Sequence, residues 1–260
     1  MLYTQTYKWC SVKHMKVVTS GIDYIDTAVG GGIVKNSSLL VIYDSFSLGW
    51  ALPFEILKRQ ISNGVLGIII NYNLPLPRLI LRANSAGLDI EEEGEKGNLV
   101  IIDVFGSRYG FNHLEDYVYR IEGFNPETYI PKLEQIYREI FRKTDKTEVV
   151  DFVFSLDGMA FEIGEERSIK LIKRLLSNRI INGRHLFSLY LLGADRVSKG
   201  FLSWNIEFND YVLEFSSKKG DYGISEQMYV LKSPLAKFEP KAYRYDIKHQ
   251  DIMPLAAPRG

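Results

Sequence analysis

Along the chain, short and almost unbroken apolar runs alternate with longer stretches in which apolar residues recur every three or four positions. Ser38–Tyr43, Gly67–Ile70, Leu99–Val104, Val149–Asp157 and His185–Leu192 are runs of the first kind. Strands this apolar are the kind found in sheets covered on both faces. Leu52, Ile56, Leu57 and Ile61 give Ala51–Ser62 a helical period, as Leu133, Ile136, Tyr137, Ile140 and Phe141 do for Pro131–Lys143. Ile169, Ile172, Leu176 and Ile180 do the same for Glu165–Ile181. Gly21–Val29 and Leu79–Ala86 read as two further helices, and Glu91–Glu95 as an acidic surface loop. Asp210–Ser216, Glu226–Ser233 and Ala242–Lys248 look like three short strands. Strands spaced by helices predict an α/β domain.

Within this pattern, Ser38–Leu57 has the outline of a phosphate-binding loop: a buried strand, a small and polar loop, and a helix start. A working loop reads G-x-x-x-x-G-K-[ST], with backbone amides around the phosphates, a lysine on their oxygens and a hydroxyl on Mg²⁺. With Gly49 as the second glycine, the first becomes Asp44, the lysine Trp50 and the metal-holding hydroxyl Ala51. A carboxylate repels phosphate, an indole carries no charge and alanine offers no oxygen. Together these substitutions argue against Mg-ATP chemistry.

The flanking motifs strengthen the comparison. Thr19–Asp26 followed by Gly30-Gly31-Gly32-Ile33 resembles the entry motif of the KaiC-like and RadA-like branch of the RecA superfamily. Pro75–Gly87, ending Arg82-Ala83-Asn84-Ser85-Ala86-Gly87, is similar to its second helix, and Asn98–Val104 to its third strand. The resemblance covers roughly Val18–Ile247, and the branch it points to is archaeal. It implies a RecA-like P-loop NTPase fold: a mostly parallel central sheet flanked by helices, with an antiparallel C-terminal edge. It also implies a Walker-B strand at Val149–Asp157, with Asp157 at the metal-orienting position and Asp151 as the alternative. The catalytic carboxylate pair falls on Asn73 and Leu74, neither of which can act as a base. The strand end Leu191-Leu192-Gly193 supplies no polar sensor.

The chain has 260 residues, with 32 basic and 32 acidic side chains and no net charge. That balance leaves no electrostatic footprint for nucleic acid or an anionic membrane. No apolar run is long enough to span a bilayer and Cys10 is the single cysteine, which excludes an intramolecular disulfide and a multi-cysteine metal site. A soluble cytoplasmic protein is expected, with residues 1–17 as an N-terminal arm, 18–250 as the RecA/KaiC-like domain and 251–260 as a mobile tail.

The reading these features favour is a catalytically inactive RecA/KaiC-like protein, needing no cofactor or metal. It would act by binding a protein or peptide, or by self-association. RecA-type domains assemble through sheet edges and grooves that losing ATP chemistry does not remove. Two alternatives compete: a noncanonical nucleotide-binding protein or weak NTPase, using Asp44, Ser45, Ser47 and Asp157 around the loop, and a nucleic-acid-binding module.

Overall fold

The computed structural model describes residues 16–112, 114–121, 125, 127–177, 184–220, 223–246 and 251–254. At the centre of the sheet lies β3 (Ser37–Tyr43), buried at every residue. β8 (His185–Gly193) and β9 (Tyr211–Gly220) flank it in parallel. From β8 the sheet continues, all parallel, through β7 (Val149–Phe154), β4 (Leu66–Asn71) and β5 (Leu99–Asp103) to β6 (Val118–Arg120). Beyond β9 the direction alternates: β10 (Gly223–Lys232), β11 (Lys241–Asp246) and β12 (Asp251–Pro254) add antiparallel strands. The expected α/β fold, parallel at its centre and antiparallel at its C-terminal edge, is borne out.

Successive side chains of β3 take opposite faces. Leu39, Val41 and Tyr43 meet α1 (Asp23–Ala28), α2 (Leu52–Ser62), α3 (Leu76–Ser85) and α4 (Ile90–Glu95), which contribute Ile25, Phe54, Leu57, Leu79 and Ile90. Leu40 and Ile42 meet the opposite layer, α6 (Tyr129–Lys143), α7 (Leu156–Ile163), α8 (Glu165–Ser177) and α9 (Lys199–Phe208), with Leu133, Met159, Ile172 and Phe201. Each large apolar side chain so buried contributes about 1.5–3 kcal/mol. The helical faces predicted from periodicity are the buried ones, with Ile180 outside the described residues.

Several boundaries differ from the sequence expectation. Glu91–Glu95 lies in a helix, α4, because the Asp89 carboxylate accepts the Glu92 amide at 3.0 Å and caps it. The acidic first turn then faces the favourable end of the helix dipole. Residues 251–260 were expected to form a tail, yet Asp251–Pro254 is the outermost strand of the sheet. Of the N-terminal arm, residues 1–15 lie outside the described residues, and Val17–Val18 forms β1, paired with β2 (Ile33–Val34). Gly32 permits that pairing: its φ is +119°, and a Cβ would lie 2.7 Å from the Val18 carbonyl oxygen.

One polar cluster is sealed inside this frame, where β7 meets β8. His185 Nε2 lies 2.7 Å from Asp151 Oδ1, and the Ser188 hydroxyl donates to the same oxygen at 3.1 Å. Asp151 and His185 are both buried. Asp151 is thus committed to the sheet rather than to the loop. Removing its carboxylate strips a buried histidine and hydroxyl of their shared acceptor, so Asp151→Ala should lower the unfolding free energy in urea by about 2–4 kcal/mol. Asp151→Asn, which keeps an acceptor, should lose less than half of that; equal losses would show that packing, not hydrogen bonding, governs the site.

Candidate functional site

The loop between β3 and α2 runs Asp44–Leu48 and enters a short 3₁₀ turn at Gly49–Ala51. A passage from strand to helix leaves a row of backbone amides without intrahelical partners, which in a phosphate-binding loop wrap the anion. Here side-chain carboxylates of the same chain take them in order. Ser45 N donates to Asp195 Oδ2 at 2.8 Å. Phe46 N and Ser47 N donate to Asp44 Oδ1 at 2.9 and 2.8 Å. Leu48 N and Gly49 N donate to Glu226 Oε1 at 2.8 and 3.0 Å, and the Ser47 hydroxyl donates to the same oxygen.

Glu226 comes from β10, so the antiparallel extension reaches back over the loop. Asp44 ties the loop to the neighbouring strand β9, accepting from the Ser217 amide at 2.6 Å and its hydroxyl at 2.9 Å. Gly49 is required by closeness rather than by φ, since a Cβ there would meet the Phe215 ring at 2.3 Å. The glycine read as the loop's second serves packing against β9.

The remaining site residues have other partners. The Trp50 ring is half-buried against the core, 6.3 Å from Phe54 edge-on, with the Arg82 guanidinium 4.7 Å from its centroid. Ala51 and Ser45 add no bonded side-chain oxygen at the loop. Asp157, expected at the end of the Walker-B strand, lies beyond it: β7 stops at Phe154, Ser155 caps α7, and Asp157 sits in the first turn of that helix. Its Oδ1 accepts the Gly193 amide at 3.0 Å and its Oδ2 pairs with Arg196 Nη1 at 2.8 Å. Asn73 and Leu74 form a turn held by Asn71, whose Oδ1 accepts both of their amides at 3.2 Å.

Arg196 and Glu226 were not singled out from sequence. Arg196 follows the strand end that lacked a polar sensor, lies three residues past β8 and also donates to the Tyr43 hydroxyl at 2.9 Å. The available signal was its place after a buried strand; nothing local marks Glu226. Burial and the Asp157 charge push the Tyr43 phenol up, so it remains a neutral hydroxyl at physiological pH. Among the described residues no three His, Cys, Asp or Glu side chains are grouped to hold a metal, and no helix is long and apolar enough to cross a membrane.

Known proteins place this architecture. PH0321 of Pyrococcus horikoshii, an uncharacterized protein solved in complex with an unknown peptide, superposes with a TM-score of 0.76 at 23% identity, covering 92% of this chain and 100% of that one. The KaiC-like protein PH0186 of Pyrococcus horikoshii OT3 superposes with a TM-score of 0.67 at 14% identity, covering 94% and 100%. The chain shares the fold of these two proteins, one of them KaiC-like. In sequence, the KaiC-like likeness extends to the circadian clock oscillator protein KaiC of Acaryochloris marina, 31% identical over 110 residues, 42% of this chain. The KaiC of Parathermosynechococcus lividus is 28% identical over 145 residues, 55% of this chain. These matches span only 21% and 26% of the two KaiC chains. No protein-family profile matches the chain.

The two loop carboxylates of this KaiC-like fold titrate in opposite senses. Burial raises Asp44, but hydrogen bonds from Ser217 and the loop amides outweigh it and hold the carboxyl below its ordinary value. Burial, with the Asp44 charge added, pushes Glu226 above its ordinary 4.5 against the bonds it accepts. A group raised in the folded state contributes its full stability below its unfolded pKa and loses it as pH rises through the folded one. Glu226→Gln cannot ionise and escapes that loss. In urea melts between about pH 4 and pH 7 its stability relative to the parent should therefore climb with pH; a flat or falling difference would contradict the raised carboxyl.

Proposed function

We propose that the protein is a KaiC-like domain that does not turn over nucleotide and acts by holding a protein or peptide segment. The observation that carries the first half is the capture of successive loop amides, Ser45 to Gly49, by Asp195, Asp44 and Glu226. A polyphosphate would have to displace these carboxylates and leave the half-buried Glu226 without its donors. Hydrogen bonds to a charged group contribute up to about 1.5–3 kcal/mol each. The lysine and metal-holding hydroxyl of a working loop are replaced by Trp50 and Ala51. Phosphoryl transfer works by positioning and charge stabilisation, so a loop of this kind forfeits both contributions.

The second half draws support from PH0321, which shares the fold over its whole length and was solved with a peptide bound. A sheet that is parallel at its centre and, among the described residues, ends at β6 and β12 suits such a role, because strand addition needs only unpaired backbone and pockets beside it.

Calorimetric titration of the full chain with Mg-ATP and Mg-GTP at millimolar concentration, paired with a turnover assay, tests the reading. No saturable heat and no hydrolysis above the buffer control are expected, while peptides selected by display on the full chain should bind it equally with and without Mg-ATP. Saturable nucleotide binding, or turnover abolished by Asp157→Asn, would overturn it in favour of a noncanonical NTPase.

A further inference from the structure

We propose that the β6 end of the sheet receives the bound segment, and that this segment is extended and cationic, adding beside β6 as a further strand. The proposal rests on the peptide-binding reading above and assigns it a place and a chemistry. β6 is the last strand at that end, and among the described residues none lies beyond it. A cavity opens on each face of this edge. On the α6 side about 550 Å³ lies beside Val118, Tyr119, Ile121 and Ile136, with Lys132 and Glu139 at the rim. On the α4 side about 660 Å³ is lined by Glu91, Glu95, Glu115 and Asp116 around Tyr117. Side chains of an added strand would alternate between the two faces and so enter the two cavities in turn.

Charge decides the occupant. Among the described residues, no lysine or arginine lines the α4-side cavity. The nearby Lys96 is engaged with Glu92 and Glu93 on its own helix. The floor suits a long cationic side chain, because the Tyr117 ring lies directly on Gly94, where a Cβ would approach it to 2.6 Å. An ammonium or guanidinium could rest its stem on that ring with its head among the carboxylates. Burial, together with Glu115, Glu91 and Glu95, pushes the Tyr117 phenol up, which reports the same negative field. The α6-side cavity differs: its largely polar lining carries both charge signs, Arg120, Lys132 and Lys143 included, around Val118 and Ile136, so the demand for a cation comes from the α4 side and small uncharged side chains suit the other.

Fluorescence anisotropy on the full chain tests this with a labelled peptide of about ten residues alternating lysine and valine, and a control alternating glutamate and valine. The lysine peptide should bind saturably and the glutamate peptide should not. Glu115→Lys combined with Asp116→Lys changes two exposed positions that line both cavities, and should weaken binding about tenfold. Hydrogen exchange should slow at the outward-facing Arg120 amide when the lysine peptide is added to the parent. Failure of the lysine peptide to bind, or equal binding to the variant, overturns the proposal. If display-selected peptides bind parent and variant alike, the seat lies elsewhere and only the β6 assignment falls; if no peptide binds at all, the peptide-binding reading falls with it. Self-association lost in the variant would make a second copy the occupant and would also overturn the proposal.

Discussion

Backbone amides at the mouth of a helix need acceptors, and in this protein that requirement joins the loop after β3 to the rest of the sheet. Unsatisfied donors in a partly buried loop are costly. The acceptors come from β10, from the turn after β8 and from the loop's own Asp44. Because Glu226 lies on β10 and Ser217 near the end of β9, that strand pair and the loop hold each other in place. The Phe215 ring, pressed on Gly49, adds an apolar contact to the same junction.

Charge follows from this arrangement. A phosphate-binding loop gathers positive partners about an anion supplied by a ligand, whereas here the anions are covalently part of the chain. Asp157, which such a site would direct toward a metal, is neutralised by Arg196 and held by the Gly193 amide. Asp44, Asp157, Asp195 and Glu226 thus each have a partner from within the fold. A site satisfied internally has little to gain from a nucleotide, and under the reading proposed here the working surface moves to the periphery of the sheet. At β6, four carboxylates share one cavity that no described lysine or arginine lines.

The fold was legible because burial writes itself directly into sequence. β3, β4, β5, β7 and β8 appear as apolar runs, and α2, α6 and α8 as helical periods. The miss at α4 arose because its cap, Asp89, is one acid among many, and helical periodicity cannot show in so short a charged run. The loop's outline was legible and so were its lost groups, Asp44, Trp50 and Ala51. What replaced them was not. Glu226 lies on β10, and Arg196 and Asp195 in the turn after β8, all brought to the loop by strand order rather than by local sequence. In sequence each looks like a solvated surface charge. Asp157 was placed on the strand because an acid after an apolar run resembles a strand end, while the Ser155 cap turns the chain into a helix before it.

The central claim is that Glu226 occupies the anion position of the loop. Amide chemical shifts of Phe46 to Gly49, followed in the labelled full chain while inorganic triphosphate is added to the parent and to Glu226→Ala, test it most directly. The account predicts that the parent amides stay where they are and that those of the variant move saturably, with Leu48 and Gly49 moving furthest. Saturable movement in the parent would contradict it, because the loop would then hold phosphate with its own carboxylate still in place.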